Sequence, residues 1–343
     1  MMAGRGKDSP SAGGPARHIP VMLSEVLAAL NPTSGETIID GTFGAGGYSK
    51  AILDAADCNI IAIDRDPDAI AEGRALADRF SKRLTLIVGR YSDMDRIAAD
   101  EGHRTVDGVV LDLGVSSMQL DQAERGFSFS HDGPLDMRMA KGGVSASDIV
   151  NELSESDLAE IIAVLGEEKR ARAIARAIVA ERSERPIART GELADIVARV
   201  LGRKWDETKH PATRTFQALR LYLNEELSEL AEGLSAAERV LRSGGRLVVV
   251  TFHSLEDRIA KRFFASRSLP GPRGSRHLPE PAGEAPPPSF RLLNRRALNP
   301  TTEEIRLNPR ARSARLRAGE RTEAPPHPLD LAALGVPRVG RVL

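Results

Sequence analysis

The 343 residues predict an α/β fold: a doubly wound, mostly parallel sheet interrupted by an inserted all-helical domain. Three observations predict it. Short apolar runs recur early in the chain with helical patterns between them, as strands buried on both faces of a parallel sheet require. A glycine-rich turn, Asp40-Gly41-Thr42-Phe43-Gly44-Ala45-Gly46-Gly47-Tyr48-Ser49, follows the first run and opens a helix. The rhythm then stops, and residues 117–211 carry helical spacing with no convincing strand.

Thr37–Asp40 is the first strand, and the helix after the glycine turn covers roughly residues 50–56. Asn59–Asp64 is the second strand. Residues 67–80 read as one helix: Pro67 stands at its start, where a missing N–H costs nothing, and Ile70 and Ala71 lie on its apolar side. Leu84–Val88 is the third strand. The fourth covers residues 106–111 and ends at Asp112. Residues 126–143 form a polar, glycine-rich loop. Within the insert, residues 147–165 read as helices with Ser154 and Asp157 spaced as a capping box. Residues 167–185 carry Ile174, Ala177 and Ile178 at helical spacing with arginines between, and Thr190–Leu201 is a further capped helix. Residues 213–241 return to helix. Ser243-Gly244-Gly245 then turns the chain into a fifth strand at 246–252. Residues 270–288, dense in Pro and Gly, read as a flexible loop, and segments near 289–293 and 312–317 suit a closing antiparallel hairpin. The division expected is a disordered tail at 1–17, an α/β core at 18–116 and 212–325, and the helical insert at 117–211.

The composition, 41% hydrophobic and 28% charged, is that of a soluble globular protein. No run approaches the ~20 apolar residues of a membrane-spanning helix, and the N-terminus lacks the apolar region of a signal peptide. One cysteine, Cys58, excludes an internal disulfide framework and a cysteine-based metal site; no metal is expected. A cytoplasmic location follows. The formal net charge is +0, but residues 258–317 hold fourteen Lys/Arg against four Glu, a pattern that suits a phosphate backbone as well as a solvated basic surface.

In a doubly wound sheet, ligands sit at the carboxyl ends of the strands. The first strand ends in the glycine turn, where N–H groups approach a ligand that a Cβ would exclude. The second ends in Asp64, at the spacing from Asp40 where a carboxylate accepts from ribose hydroxyls. Tyr91 follows the third strand and can stack on adenine. The fourth ends in Asp112, leading to Ser116 and Ser117. The crowding of Gly44, Gly46 and Gly47 departs from the dinucleotide G-x-G-x-x-G pattern. It fits an S-adenosyl-L-methionine pocket, with Asp40 anchoring the methionine end, better than a nicotinamide site. The turn before the fifth strand, Leu241-Arg242-Ser243-Gly244-Gly245, resembles the same position in class I methyltransferases.

Longer strings narrow the reading. Asp112-Leu113-Gly114-Val115-Ser116-Ser117, Glu124-Arg125-Gly126-Phe127-Ser128-Phe129, His131-Asp132-Gly133-Pro134-Leu135-Asp136-Met137-Arg138-Met139, Ala212-Thr213-Arg214-Thr215-Phe216-Gln217-Ala218-Leu219-Arg220, Phe252-His253-Ser254-Leu255-Glu256-Asp257-Arg258 and Asn308-Pro309-Arg310-Ala311-Arg312-Ser313 closely resemble the ribosomal RNA small subunit methyltransferase H family. The resemblance runs over roughly residues 18–321. It implies a class I (Rossmann-like) methyltransferase core, a helical insert that recognises substrate, and S-adenosyl-L-methionine as cofactor. It further implies transfer to the exocyclic N4 amine of one decoding-centre cytidine, with small-subunit ribosomal RNA or the small ribosomal subunit as partner. A homodimer is compatible with the sequence but not required by it. The family's cofactor contacts fall on Gly46, Gly47, Tyr48, Asp64, Tyr91, Asp112 and Gln119, with Gly44 beside them. Tyr48 stands where many members have His, Tyr91 where Phe is usual, and Met118 where Pro is frequent.

A cytosine amine is a poor nucleophile because its lone pair is delocalised into the ring. Transfer therefore needs positioning and an acceptor for the amine's hydrogens. Asp112 with Ser116 and Ser117 are the expected acceptors, and Arg138 and His253 are expected near the target base. An equal reading of His253 is that it opens a helix capped by Ser254 and Asp257. Arg170, Arg172, Arg176 and Arg182, with Arg310, Arg312, Arg315 and Arg317, are the candidate backbone clamp, and Phe127 and Phe129 the candidate stacking rings. A DNA amino-methyltransferase and a non-catalytic ribosome-assembly or RNA-binding factor are the alternatives.

Overall fold

A computed structural model describes residues 20–202, 210–268 and 286–340. The expected tail at 1–17 and most of the expected loop at 270–288 lie outside these residues. The strands are β1 Thr37–Asp40, β2 Asn59–Asp64, β3 Leu84–Val88, β4 Val106–Asp112, β5 Leu241–Thr251, β6 Phe290–Leu292 and β7 Arg315–Arg321. They form one sheet in the order β3-β2-β1-β4-β5-β7-β6. β1 to β5 run parallel, and β7 lies antiparallel between β5 and β6. The chain winds outward from β1 in both directions, so the loops leaving β1 and β4 part and open a crevice between them.

Successive apolar residues explain the buried sheet. Ile38, Ile60, Val110 and Val248 point to one face, and Ile39, Ile61, Val109 and Val249 to the other, the two-residue period of a strand. The first face is covered by α1 (Leu23–Leu30) and α2 (Gly47–Ala55). On the second face the apolar cluster runs without a break from Ile39 and Leu111 into the helices of residues 117–211, through Ile149, Ile161, Ile174 and Leu193. The inserted helices thus share a core with the sheet.

Where the sequence suggests one helix over residues 67–80, there are two, α3 Pro67–Glu72 and α4 Arg74–Arg79. They part at Gly73, where a Cβ would lie 2.5 Å from the Phe43 ring of the glycine turn. α5 (Met94–Asp100) precedes β4, and α6 (Ser117–Asp121) follows it. The insert then supplies α7 Ala146–Glu152, α8 Glu155–Gly166, α9 Ala171–Glu184 and α10 Thr190–Leu201. Ser154 caps α8, its hydroxyl accepting from the Asp157 N–H at 3.1 Å. The loop at 126–143 is less polar inside than its composition suggests, because Phe127, Leu135, Met137 and Met139 are buried.

Residues 213–241 also divide, into α11 Thr213–Leu223 and α12 Glu226–Val240. Asn224 is the cause: its side chain accepts from the Met139 N–H and donates to the Met137 carbonyl, both at 2.9 Å. Ser243-Gly244-Gly245 is a bulge inside β5, with the register against β4 slipping between Val106 and Gly108. α13 (Ser254–Ser268) follows β5, α14 (Thr302–Leu307) lies between the strands of the expected hairpin, and α15 (Leu331–Leu334) packs on α13 beyond the expected end of the core.

Candidate active site

A cavity of about 480 Å³ opens at the carboxyl edge of β1, β2 and β4, within the usual size of a small-ligand site. Its floor is the glycine turn. Gly44 and Gly46 both have left-handed backbone, φ 52° and 74°, which a side chain would strain. Gly46 makes the tight turn behind the cavity, its N–H donating to the Phe43 carbonyl at 2.7 Å. Gly47 opens α2 and leaves no room for a side chain, since a Cβ would lie 2.5 Å from Pro20.

Asp40 is fully buried behind the turn. It accepts from Ser49 Oγ at 2.7 Å and the Thr42 N–H at 3.2 Å, and it does not line the cavity. The expected anchor of the methionine end is therefore a brace for the turn. Burial pushes its carboxyl up to about 6, against the hydrogen bonds that lower it. Tyr48 does line the cavity, but its hydroxyl is committed to the Val21 carbonyl.

Asp64, at the end of β2, holds the turn by accepting from the Gly44 N–H at 2.7 Å and also accepts from the Asp66 N–H at 2.8 Å. Burial raises its carboxyl above the usual range. Tyr91 lies over α12, where a Cβ on Gly233 would sit 2.3 Å from its ring; only a glycine lets the ring lie there. Gln119 and Ser116 form a capping box on α6, Gln119 Oε1 accepting from the Ser116 N–H at 3.1 Å and Ser116 Oγ from the Gln119 N–H at 3.2 Å. The Gln119 amide also donates to Asp66 at 2.9 Å. Both ends of that side chain are thus taken by protein. The Ser117 side chain lies outside the described structure.

Asp112, at the end of β4, differs from the other carboxylates. Its N–H donates to Thr42 Oγ1 at 2.7 Å, but its buried Oδ1 has no hydrogen-bond partner among the described residues. Burial, then the neighbouring Asp40 and Glu256, push its carboxyl well above the usual range. An unsatisfied buried acceptor in a cavity is costly unless a ligand N–H meets it. Asp112 and the glycine turn therefore fit a ligand that brings N–H donors or positive charge.

The far wall comes from β5, α11 and α12. His253 lines it, its Nε2 3.0 Å from Glu256 Oε1 but not aligned for a hydrogen bond. Glu256 caps α13 by accepting from the Phe252 and His253 N–H groups at 2.7 and 3.2 Å. Burial pushes Glu256 up, but His253 and the Phe252 N–H hold it below the usual range. The cap expected from Ser254 and Asp257 is not formed. Ser254 donates to Glu167 at 2.5 Å, and Asp257 accepts from Arg315 and Arg317 at 2.8 and 2.9 Å. Glu167, which also takes Arg258 at 3.0 Å, ties the insert to the loop that carries His253.

Arg138 is not brought to this cavity. It pairs with Asp136 at 2.6 Å, donates to the Gly143 carbonyl, and lines a second cavity of about 360 Å³. Phe127 is buried, and Phe129 packs on His210 and Phe216 with ring centroids 4.5 and 5.0 Å apart, so both rings are used inside the fold. Three contributors escaped sequence reasoning. Asp66 takes Gln119 and, at 2.7 Å, Arg125; its place just before Pro67 marks it as a helix N-cap but not as a hub. Arg65 and Glu229 meet across the cavity wall at 2.9 Å, and nothing local to either announces the other. Among the described residues, no group of three or more His, Cys, Asp and Glu is placed to hold a metal ion, and no helix is long and apolar enough to cross a membrane.

The sequence pattern of the MraW methylase family spans residues 15–322. The chain belongs to this family. This methylase is 61% identical to the ribosomal RNA small subunit methyltransferase H of Parvibaculum lavamentivorans, over 97% of this chain and 96% of that one. It is 60% identical to the protein of the same name from Azorhizobium caulinodans, over 97% and 96%. The Brucella anthropi protein of that name is 55% identical over 99% and 97%. Its fold is Rossmann-like, and the glycine turn, Asp64, Tyr91 and Asp112 of the methylase line one cavity.

Proposed function

We propose that this methylase transfers a methyl group to the exocyclic N4 amine of a specific cytidine in the decoding centre of small-subunit ribosomal RNA. S-adenosyl-L-methionine is the methyl donor, and when bound it supplies an electrophilic methyl group on a sulfonium. The names of the relatives and the resemblance of the motifs support the RNA substrate. The observation that carries the chemistry is Asp112, at the end of β4, which lines the cavity between the glycine turn and His253 and whose buried Oδ1 has no hydrogen-bond partner among the described residues.

In this reading the turn at Gly44, Gly46 and Gly47 admits the donor closely, Asp64 accepts from its ribose, and the Tyr91 ring supports its base. Tyr48 and Gln119 shape the wall, with their polar groups committed to Val21, Ser116 and Asp66. Asp112 accepts an N–H of the target amine. That bond draws the nitrogen lone pair out of conjugation with the ring and holds the proton that departs on transfer. Ser116 lines the same cavity, and His253, braced by Glu256, closes the opposite side. The helical insert at 117–211 recognises the RNA, and the base enters unpaired or flipped.

The test is methyl transfer to purified small subunits and to naked ribosomal RNA, both from a strain lacking this enzyme, with mass spectrometry of the nucleosides. A single N4-methylcytidine is the expected product. A different methylated nucleoside, or none on either substrate, overturns the proposal.

A further inference from the structure

A second buried acceptor without a partner among the described residues belongs to a residue that lines the same cavity. Glu229, on α12, is 1% exposed. Its Oε2 accepts from Arg65 Nη1 at 2.9 Å and pairs with Arg90 Nη2 at 3.1 Å, while its Oε1 is buried without a hydrogen-bond partner among the described residues. Arg65 Nε, on the same wall, is buried and unpartnered as well. One acceptor and one donor on two ion-paired residues thus have nothing among the described residues to satisfy them, a pair of polar groups too costly to leave buried without a purpose.

Their position says what they meet. Gly233 is four residues past Glu229, so both lie on one face of α12. The Tyr91 ring rests on Gly233, and Tyr91, Glu229 and Arg65 all line the cavity. Arg65 follows Asp64, the strand-ending carboxylate placed for a ribose. A flat heterocycle lying on Tyr91 in this cavity has Glu229 and Arg65 among its neighbours. An adenine edge offers an amino donor beside a ring-nitrogen acceptor, which complements a carboxylate oxygen beside a guanidinium N–H. A 6-oxo purine offers the reverse.

We propose that Glu229 reads the 6-amino group of the methyl donor's adenine, with Arg65 Nε on the adjoining ring nitrogen, and so sets the base specificity of the cofactor site. The inference rests on S-adenosyl-L-methionine as the donor. Glu229 acts on binding and takes no part in the transfer.

The experiment is calorimetric titration of the full chain with S-adenosylhomocysteine and with S-inosylhomocysteine, which differs in carrying oxygen for the 6-amino group. The unmodified protein binds the adenosyl compound about tenfold to a hundredfold more tightly, because the inosyl compound sets oxygen against oxygen. In Glu229→Gln the side-chain carbonyl must face the donors of Arg65 and Arg90, which turns the amide N–H₂ toward the cavity. The preference then falls to about unity or inverts. Equal binding of the two compounds by the unmodified protein overturns the proposal, and so does a Glu229→Gln protein that keeps the original ratio. If Glu229→Gln fails to fold, the comparison on the unmodified protein decides alone. Failure of both compounds to bind the unmodified protein removes the cofactor reading itself, a result distinct from equal binding.

Discussion

Asp40, Asp64, Asp112 and Glu229 sit at or behind one cavity, and burial raises the carboxyl of each. Perturbed groups of this kind gather where a fold gives up stability for function. Asp112 shows the conflict most plainly, because its Oδ1 has no partner among the described residues and Asp40 and Glu256 are its neighbours. Asp112→Asn removes the charge at nearly constant shape. Methyl transfer is expected to fall by at least about a hundredfold, while the protein gains roughly 1–3 kcal/mol; single-turnover assays and urea unfolding check the two halves together. Asp40 makes a pH prediction. Its folded carboxyl titrates at about 6, above the unfolded value of 3.8, so the folded state holds the proton more tightly. Its contribution to stability is complete below about pH 4 and is lost as pH rises to about 6, a fall on the order of 3 kcal/mol. Asp40→Asn flattens that limb, measured as urea midpoints between pH 4 and 7.

Between elements, Glu238 is the tightest junction. It is fully buried on α12, and its carboxylate accepts from Arg267 on α13 at 2.7 Å, from Ser289 beside β6 at 2.5 Å, and from the His327 N–H at 3.0 Å. Its backbone carbonyl takes Arg321 of β7 at 2.8 Å, so one residue pins two helices to the antiparallel edge. Glu238→Ala leaves Arg267 buried without its partner and is expected to cost about 3–5 kcal/mol. Thermal unfolding checks it, and Glu238→Gln, which keeps the hydrogen-bond acceptor, costs less. The breaks at Gly73 and Asn224 belong to the same scale. Helical spacing continues through both, and the interruption comes from Phe43 in one case and from the backbone at Met137 and Met139 in the other.

Across the whole molecule, the arginines divide into those the fold uses and those it leaves outward. Arg315 and Arg317 pair with Asp257, Arg310 pairs with Asp121 at 2.6 Å, and Arg182 donates to the Val150 carbonyl at 2.7 Å. Among the described residues, Arg170, Arg172 and Arg312 are exposed and hold no ion pair, and Arg176 is exposed with only a 3.7 Å contact to Glu155. RNA affinity is expected to fall steeply with salt. Replacing Arg170 and Arg172 by Ala lowers the slope of log affinity against log salt by about 1 to 1.5 for a single-stranded target. Arg317→Ala lowers stability and leaves that slope nearly unchanged. Filter binding across a salt series separates the two groups.

Much of the sheet could be read from the chain because each parallel strand is a short apolar run with its own boundary. Thr37–Asp40, Asn59–Asp64 and Leu84–Val88 match the structure to the residue. The glycine turn and the strand-ending Asp64 and Asp112 were visible for the same reason: backbone conformation and strand ends leave local marks. Arg138, Phe127 and Phe129 were misplaced because a loop's composition does not say which of its side chains turn inward. The pairing of Arg65 with Glu229, 164 residues apart, leaves no such mark, nor does the missing partner of Asp112. Whether a carboxylate is satisfied depends on every atom packed around it, and those atoms come from strands, helices and an insert that meet only when the chain has folded.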